Sequence, residues 1–109
     1  MKQTNAVSET LRNALPAWNW DDNPSALADM TDFVARSDQS LIVVEDWFAR
    51  KELDGAQILL CDLEHETEDA ILIQNANDVE DRGENVAAFK THITEAWIPK
   101  SVVTGEVRQ

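Results

Sequence analysis

Ile58-Leu59-Leu60-Cys61-Asp62-Leu63, then Glu64-His65-Glu66-Thr67-Glu68-Asp69, then Ala70-Ile71-Leu72-Ile73 is the stretch that decides the fold. Two short apolar runs flank a polar one. That is the pattern of a hairpin, with strands over 58–63 and 70–73 and an acidic tip at 64–69. Beyond it, residues 75–91 are polar and acidic up to Asn85, then mildly apolar through Val86-Ala87-Ala88-Phe89. They read either as a loop with a short helix or as the start of a long strand. From His92 to Ile98 the chain alternates, with Ile93, Glu95 and Trp97 on one face and Thr94, Ala96 and Ile98 on the other. Pro99 has no N–H to continue a ladder, so the strand stops there. Val102-Val103 adds a last short strand.

Upstream of the hairpin the period changes. Val7, Leu11 and Ala14 or Leu15 share one face of a short helix over 5–15, which Pro16 ends. Trp18-Asn19-Trp20-Asp21-Asp22-Asn23-Pro24 has turn chemistry and two large aromatics. Asn23 is placed as an N-cap with Pro24 at the first helical position. Leu27, Met30, Phe33 and Val34 then recur at three- and four-residue steps, giving a helix over 24–37. Leu41-Ile42-Val43-Val44 is β-branched, although Leu41, Val44 and Phe48 also fit a helix. The preferred reading is a strand over 41–45 and a helical turn through Asp46–Glu52, closed by a turn at Leu53-Asp54-Gly55. The expectation is therefore one α+β domain over 1–109, with N-terminal helices packed on a small C-terminal antiparallel sheet or partial barrel. Residues 1–54 are the mainly helical part and 55–109 the mainly sheet part.

Parts of the C-terminal half, Ala70-Ile71-Leu72-Ile73 and Glu95-Ala96-Trp97-Ile98-Pro99-Lys100-Ser101, resemble a pattern in small uncharacterised phage and plasmid proteins. In those, a strand following an acidic turn ends in Trp-Ile-Pro-Lys-Ser. The resemblance spans residues 57–103 and its specific part is five residues long. It implies a small antiparallel sheet or partial barrel and an origin in a mobile element, and it carries no activity. One departure is that Asn75 to Thr91 intervene where the pattern has a tight turn.

Charge limits the partners. The chain has 21 Asp and Glu against 9 Lys and Arg, for a formal net charge of -12. Nucleic-acid binders bring positive charge to the phosphates, and this chain brings the opposite sign. Neither nucleic acid nor an anionic membrane is an expected partner, whereas a basic protein is. The excess is densest from Asp62 to Glu84, where nine acids face the single Arg82. No apolar run approaches the ~20 residues of a membrane span. The stretch after Met1-Lys2-Gln3-Thr4-Asn5 is not apolar, so no secretory signal is expected. The lone Cys61 fits a reducing cytoplasm and reads as a small buried apolar residue.

Catalytic motifs are missing from the pattern. Gly55, Gly83 and Gly105 are isolated, so there is no phosphate loop. A calcium loop aligned on Gly83 puts Phe89 where a bidentate Glu belongs. Cys61, His65 and His92 lack zinc-knuckle spacing, and Asp69 stands where a metalloprotease helix needs its second His. No metal, cofactor or catalytic residue is assigned. What remains is acid plus aromatic: Trp18, Trp20, Trp47 and Trp97, with no Tyr in the chain.

Trp is enriched at interface hot spots, and carboxylates beside it meet Arg and Lys of a partner. The expected contact residues are Trp18, Trp20, Asp21 and Asp22 in the N-terminal loop. To these are added Asp62, Glu64, Glu66, Glu68 and Asp69 at the hairpin tip, and Asp78, Glu80, Asp81 and Glu84 beyond it. Trp97 and Lys100 are read first as a sheet anchor and a strand exit, with binding as the other role. The leading expectation is a non-catalytic, cytoplasmic acidic protein that modulates or inhibits a basic, nucleic-acid-handling host protein, with DNA mimicry as one route. Same-face acids on a strand repeat about every 6.6 Å, against about 3.4 Å for phosphates, so mimicry needs acids from several elements. The alternatives are an immunity protein against a basic toxin, and a structural accessory protein that self-associates through a sheet edge.

Overall fold

The structure is a computed structural model and describes residues 2–79 and 89–109, with the backbone alone for 89–91. Helix α1 (Thr4–Ala14) buries Val7 and Leu11 along one stripe. It stops before Pro16, because the residue preceding a proline is pushed out of the helical region; Leu15 has φ -131° and ψ 58°. Two 3-10 turns follow, joined by Asn19 in the left-handed region at φ 53°. Helix α2 (Pro24–Arg36) starts on its proline and buries Ala26, Leu27, Met30, Thr31, Val34 and Ala35. Asn23 holds the N-cap position, but its side chain makes no capping hydrogen bond. The Ser25 hydroxyl donates to Asn23 Oδ1 instead, at 3.4 Å.

Strand β1 (Ser40–Val44) and helix α3 (Asp46–Glu52) follow as the residues suggest. Asp54 and Gly55 turn the chain at φ 55° and 87°. Then come β2 (Ile58–Glu66), β3 (Ala70–Val79), β4 (Phe89–Pro99), a 3-10 turn at Lys100–Val102 and β5 (Val103–Val107). The five strands form one sheet in the order β4-β3-β2-β1-β5, with every neighbouring pair antiparallel. Among the described residues the sheet is open, with β4 and β5 at its edges, and is not closed into a barrel.

β1 lies between β2 and β5 and is buried along its whole length, which is why four consecutive apolar residues, rather than an alternation, specify it. Leu41 and Val43 join Ile58, Leu60 and the stripes of α1 and α2 in one cluster. Ile42 and Val44 point the other way, into a second cluster with Leu59, Cys61, Ile71, Ile73, Ile98, Val102 and the apolar side of α3. α1 lies so close to β5 that a Cβ on Gly105 would meet Thr10 Cγ2 at 2.7 Å. Lys2 is buried beside the end of α2. Its ammonium donates to the carbonyl of Ser37 at 2.6 Å and to that of Gln39.

Two expectations need correction. The acidic tip is shorter than six residues, because Glu64, His65 and Glu66 belong to β2 and only Thr67–Asp69 turn. Strict alternation in β4 also fails. Ile93 packs on the same cluster as Ala96 and Ile98. The cause lies in the paired strand, where Asn75 at φ 51° breaks the pleat, so that Ile73 and Ala76 both face that cluster.

Candidate functional site

α1 and α2 sit over β1, β5 and the near ends of β2 and β3. On that same side of the sheet, among the described residues, no element covers the far half of β2, β3 and β4. The strand registers bring three residues into a row there: His65 opposite Leu72, and Leu72 opposite Trp97. The His65 and Trp97 rings meet edge to face across Leu72, with centroids 6.1 Å apart and planes at 89°. Trp97 is 49% exposed. Its neighbour Ile98 is fully buried on the opposite face.

The adjoining row is polar. Asp62 lies opposite Gln74, and Gln74 opposite Glu95. The Gln74 amide donates to Glu95 Oε2 at 2.9 Å. Asp62 accepts from Gln39 Nε2 at 3.3 Å and from Asn75 Nδ2 at 3.0 Å. These amides hold the carboxylates in place without neutralising them. Glu64 sits at a bulge of β2, and Glu68 and Asp69 stand exposed at the tip. The tip is built by Thr67, whose hydroxyl accepts from the backbone N–H of Ala70 at 3.1 Å. The backbone N–H of Lys100 donates to the Asp69 carbonyl at 2.8 Å, tying the end of β4 to the turn.

Glu66 is different. It lies opposite Ile71 and away from the Trp97 row. Arg108 and Lys100 each approach its carboxylate to 2.6 Å. Hydrogen bonds first from Arg108 and then from Lys100 hold its carboxyl down to about 2. Arg108 also pairs with Glu106 at 2.9 Å, and both acids raise its pKa. Glu66 therefore serves the fold.

The remaining expected contact residues are scattered. Trp20 is a core residue, 5% exposed, and not a surface anchor; it stacks on the half-buried Trp18 with ring centroids 5.5 Å apart. Its indole N–H is buried without a partner among the described residues. Asp21 is exposed and pairs with Arg12 at 3.0 Å, and Asp22 is exposed beside it. Asp78 is buried rather than outward-facing. Glu80, Asp81 and Glu84 lie outside the described residues. Asp69 and Asp78 are nine positions apart along β3. That is about 30 Å of strand, close to the 36 Å long axis of the molecule. The tip and Asp78 thus stand far apart along the sheet and share no single acidic surface. The row Glu64, Glu66, Glu68 also dissolves, since one is bulged and one is paired.

Among the described residues no group of three His, Cys, Asp or Glu is placed to hold a metal ion, and no helix is long and apolar enough to cross a membrane. Cys61 is fully buried, and burial followed by the charge of Asp62 pushes its thiol up to about 12. It stays protonated and unreactive near neutral pH. A cavity of about 220 Å³ is lined by Trp18, Asp46, Gly55, Gln57, Ile58 and Asp78.

Sequence reasoning missed Leu72 and His65 as partners of Trp97. The alternation around Trp97 was the available signal. No protein-family model, curated protein or solved structure matches this chain. Any function must therefore be argued from the site itself.

Proposed function

We propose that the protein is a non-catalytic acidic binding protein that docks on the basic surface of another protein, of the kind that handles nucleic acid, and so modulates or inhibits it. The observation that carries this is the exposed Trp97 on an uncovered sheet face, with Asp62, Glu64 and Glu95 around it. An aromatic anchor surrounded by polar groups is the composition of an interface hot spot. Arg is the residue that satisfies both parts, stacking its guanidinium on the indole while reaching a carboxylate.

The balance of the surface supports the same reading. Arg12, Arg36, Arg50, Lys100 and Arg108 each pair with an acid of this chain. Among the described residues Asp22, Asp29, Glu64, Glu68 and Asp69 make no ion pair, and they leave the outward field negative. Docking needs carboxylates opposite cations and does not need phosphate spacing.

The test is capture of basic proteins from a host lysate at low and high salt, with duplex DNA as competitor. Capture that weakens with salt and with DNA is expected, as is its loss in a Glu64→Lys, Glu68→Lys, Asp69→Lys variant that folds normally. Capture unchanged by salt and by the triple reversal would refute the proposal.

A further inference from the structure

We propose that β4 is the docking edge of this site, and that it accepts an extended segment of the partner which alternates cationic and apolar residues. This deepens the preceding proposal and rests on its claim that the partner is basic.

β4 is an edge strand of eleven residues whose only strand neighbour among the described residues is β3. An edge strand leaves a row of N–H and C=O groups unpaired on its outer side, and long edges are normally covered, bulged or charged to prevent addition of another strand. Near its end this edge carries an exposed Trp. Strand addition takes its affinity from such a backbone row and its specificity from alternate side chains.

The two faces of β4 specify those side chains. His92, Glu95 and Trp97 lie on the uncovered side, opposite Asn77, Gln74 and Leu72. Ile93, Ala96 and Ile98 lie on the apolar side. A strand laid beside β4 places every second side chain next to Glu95 and Trp97, where Arg or Lys meets a carboxylate and an indole face. The intervening side chains fall next to half-buried Ala96 and buried Ile98 and extend the second core cluster.

A second copy of this chain fits less well. Two-fold pairing would bring back the same residues, so Glu95 would meet no cation among the described side chains of that face. Each copy also carries -12. A segment of opposite charge is favoured on both counts.

The experiment titrates the intact protein with three synthetic peptides, followed by calorimetry. One alternates Arg or Lys with Ile or Val. One has the same composition in two blocks, cationic then apolar. The third is the alternating peptide N-methylated on every second residue, made in both registers. The alternating peptide is expected to bind at least roughly tenfold tighter than the block peptide. Methylation in one register should abolish binding and in the other leave it intact, because only alternate amides face β4. Trp97→Ala and Glu95→Lys should each weaken the alternating peptide roughly tenfold. Equal binding of alternating and block peptides, or indifference to methylation register, overturns the β4 assignment while leaving an acidic binding protein standing. Failure of every cationic peptide and basic protein to bind removes both proposals. A stable dimer in sedimentation that Trp97→Ala dissolves would assign the edge to a second copy and likewise overturn the inference.

Discussion

Trp97 and Ile98 are adjacent in the chain and point to opposite faces of β4, which makes them a paired test of which face is covered. Ile98 is fully buried in the cluster with Ile71, Ile73 and Val102. Ile98→Ala removes buried carbon and leaves a cavity, at a cost of about 2–5 kcal/mol. Trp97 is 49% exposed. A fully buried Trp removes about 150–250 Å² from water, so roughly 100 Å² is at stake here. At about 25 cal/mol per Å² that is ~2.5 kcal/mol as an upper bound, which residual burial in the unfolded chain lowers towards ~1–2 kcal/mol. Urea unfolding of both variants, with unchanged m-values, should place Trp97→Ala well above Ile98→Ala in midpoint. Binding of the cationic strand should show the reverse order, with Trp97→Ala impaired and folded Ile98→Ala nearly normal. If Trp97→Ala costs as much stability as Ile98→Ala, the uncovered face is in fact covered, and the site proposed on it does not exist.

Gly105→Ala forces a Cβ to within 2.7 Å of Thr10 Cγ2 and 3.1 Å of Ala14 Cβ. Urea midpoints should report a loss of about 1–3 kcal/mol, part of which Thr10→Ser restores by deleting the methyl; an unchanged midpoint would mean that α1 does not press on β5. Thr31 is 2% exposed, and its hydroxyl has no partner among the described residues. Thr31→Val should therefore be neutral or stabilising by up to ~1 kcal/mol in thermal unfolding, and a clear drop in midpoint would reveal a partner for that oxygen. Glu66 is held down to about 2 against an ordinary 4.5. Its contribution is thus present above about pH 4.5 and lost as the pH falls towards 2. Urea unfolding followed by circular dichroism should find Glu66→Gln modestly less stable than the native chain at pH 7, as befits an exposed pair, with the gap closing as the pH falls towards 2; a gap that does not change with pH would count against the Arg108 and Lys100 bridge.

The elements were legible where one physical signal dominated. The stripe Leu27, Met30, Val34 and the proline at its head specify α2, and the β-branched run 41–44 specifies β1. Asn75 and Lys2 were not legible, because their roles depend on distant chain. Asn75 breaks the pleat of two strands at once, and nothing in its neighbours announces φ 51°. Lys2 looks like an ordinary polar terminus, yet its ammonium is needed by carbonyls 35 and 37 positions away. Trp20 misled for the opposite reason: acidic, turn-forming neighbours suggested a surface loop, and only packing of the Trp18–Trp20 pair against the helices buries it.

The open face has a simpler origin, which is a mismatch of lengths. α1 and α2 contain 11 and 13 residues, about 17–20 Å of helix. β3 and β4 contain 10 and 11 residues, about 33–36 Å of strand. Helices of that length cannot roof strands of that length, wherever they are placed. Once α1 is fixed against β5 by the close approach at Gly105, the far half of β3 and β4 is left without cover. The helix lengths could be read from periodicity. The strand lengths could not, because the polar residues from Asn75 onward read equally as a loop or as the start of a strand. The chain stays in strand as far as Val79, despite the broken pleat at Asn75, because β2 and β4 flank it on both sides. Trp97 is exposed on this account by the geometry of its neighbours, not by its own chemistry. Extending α2 towards the hairpin by a few apolar-striped turns should therefore bury it and abolish binding at β4 without touching any residue of the strand.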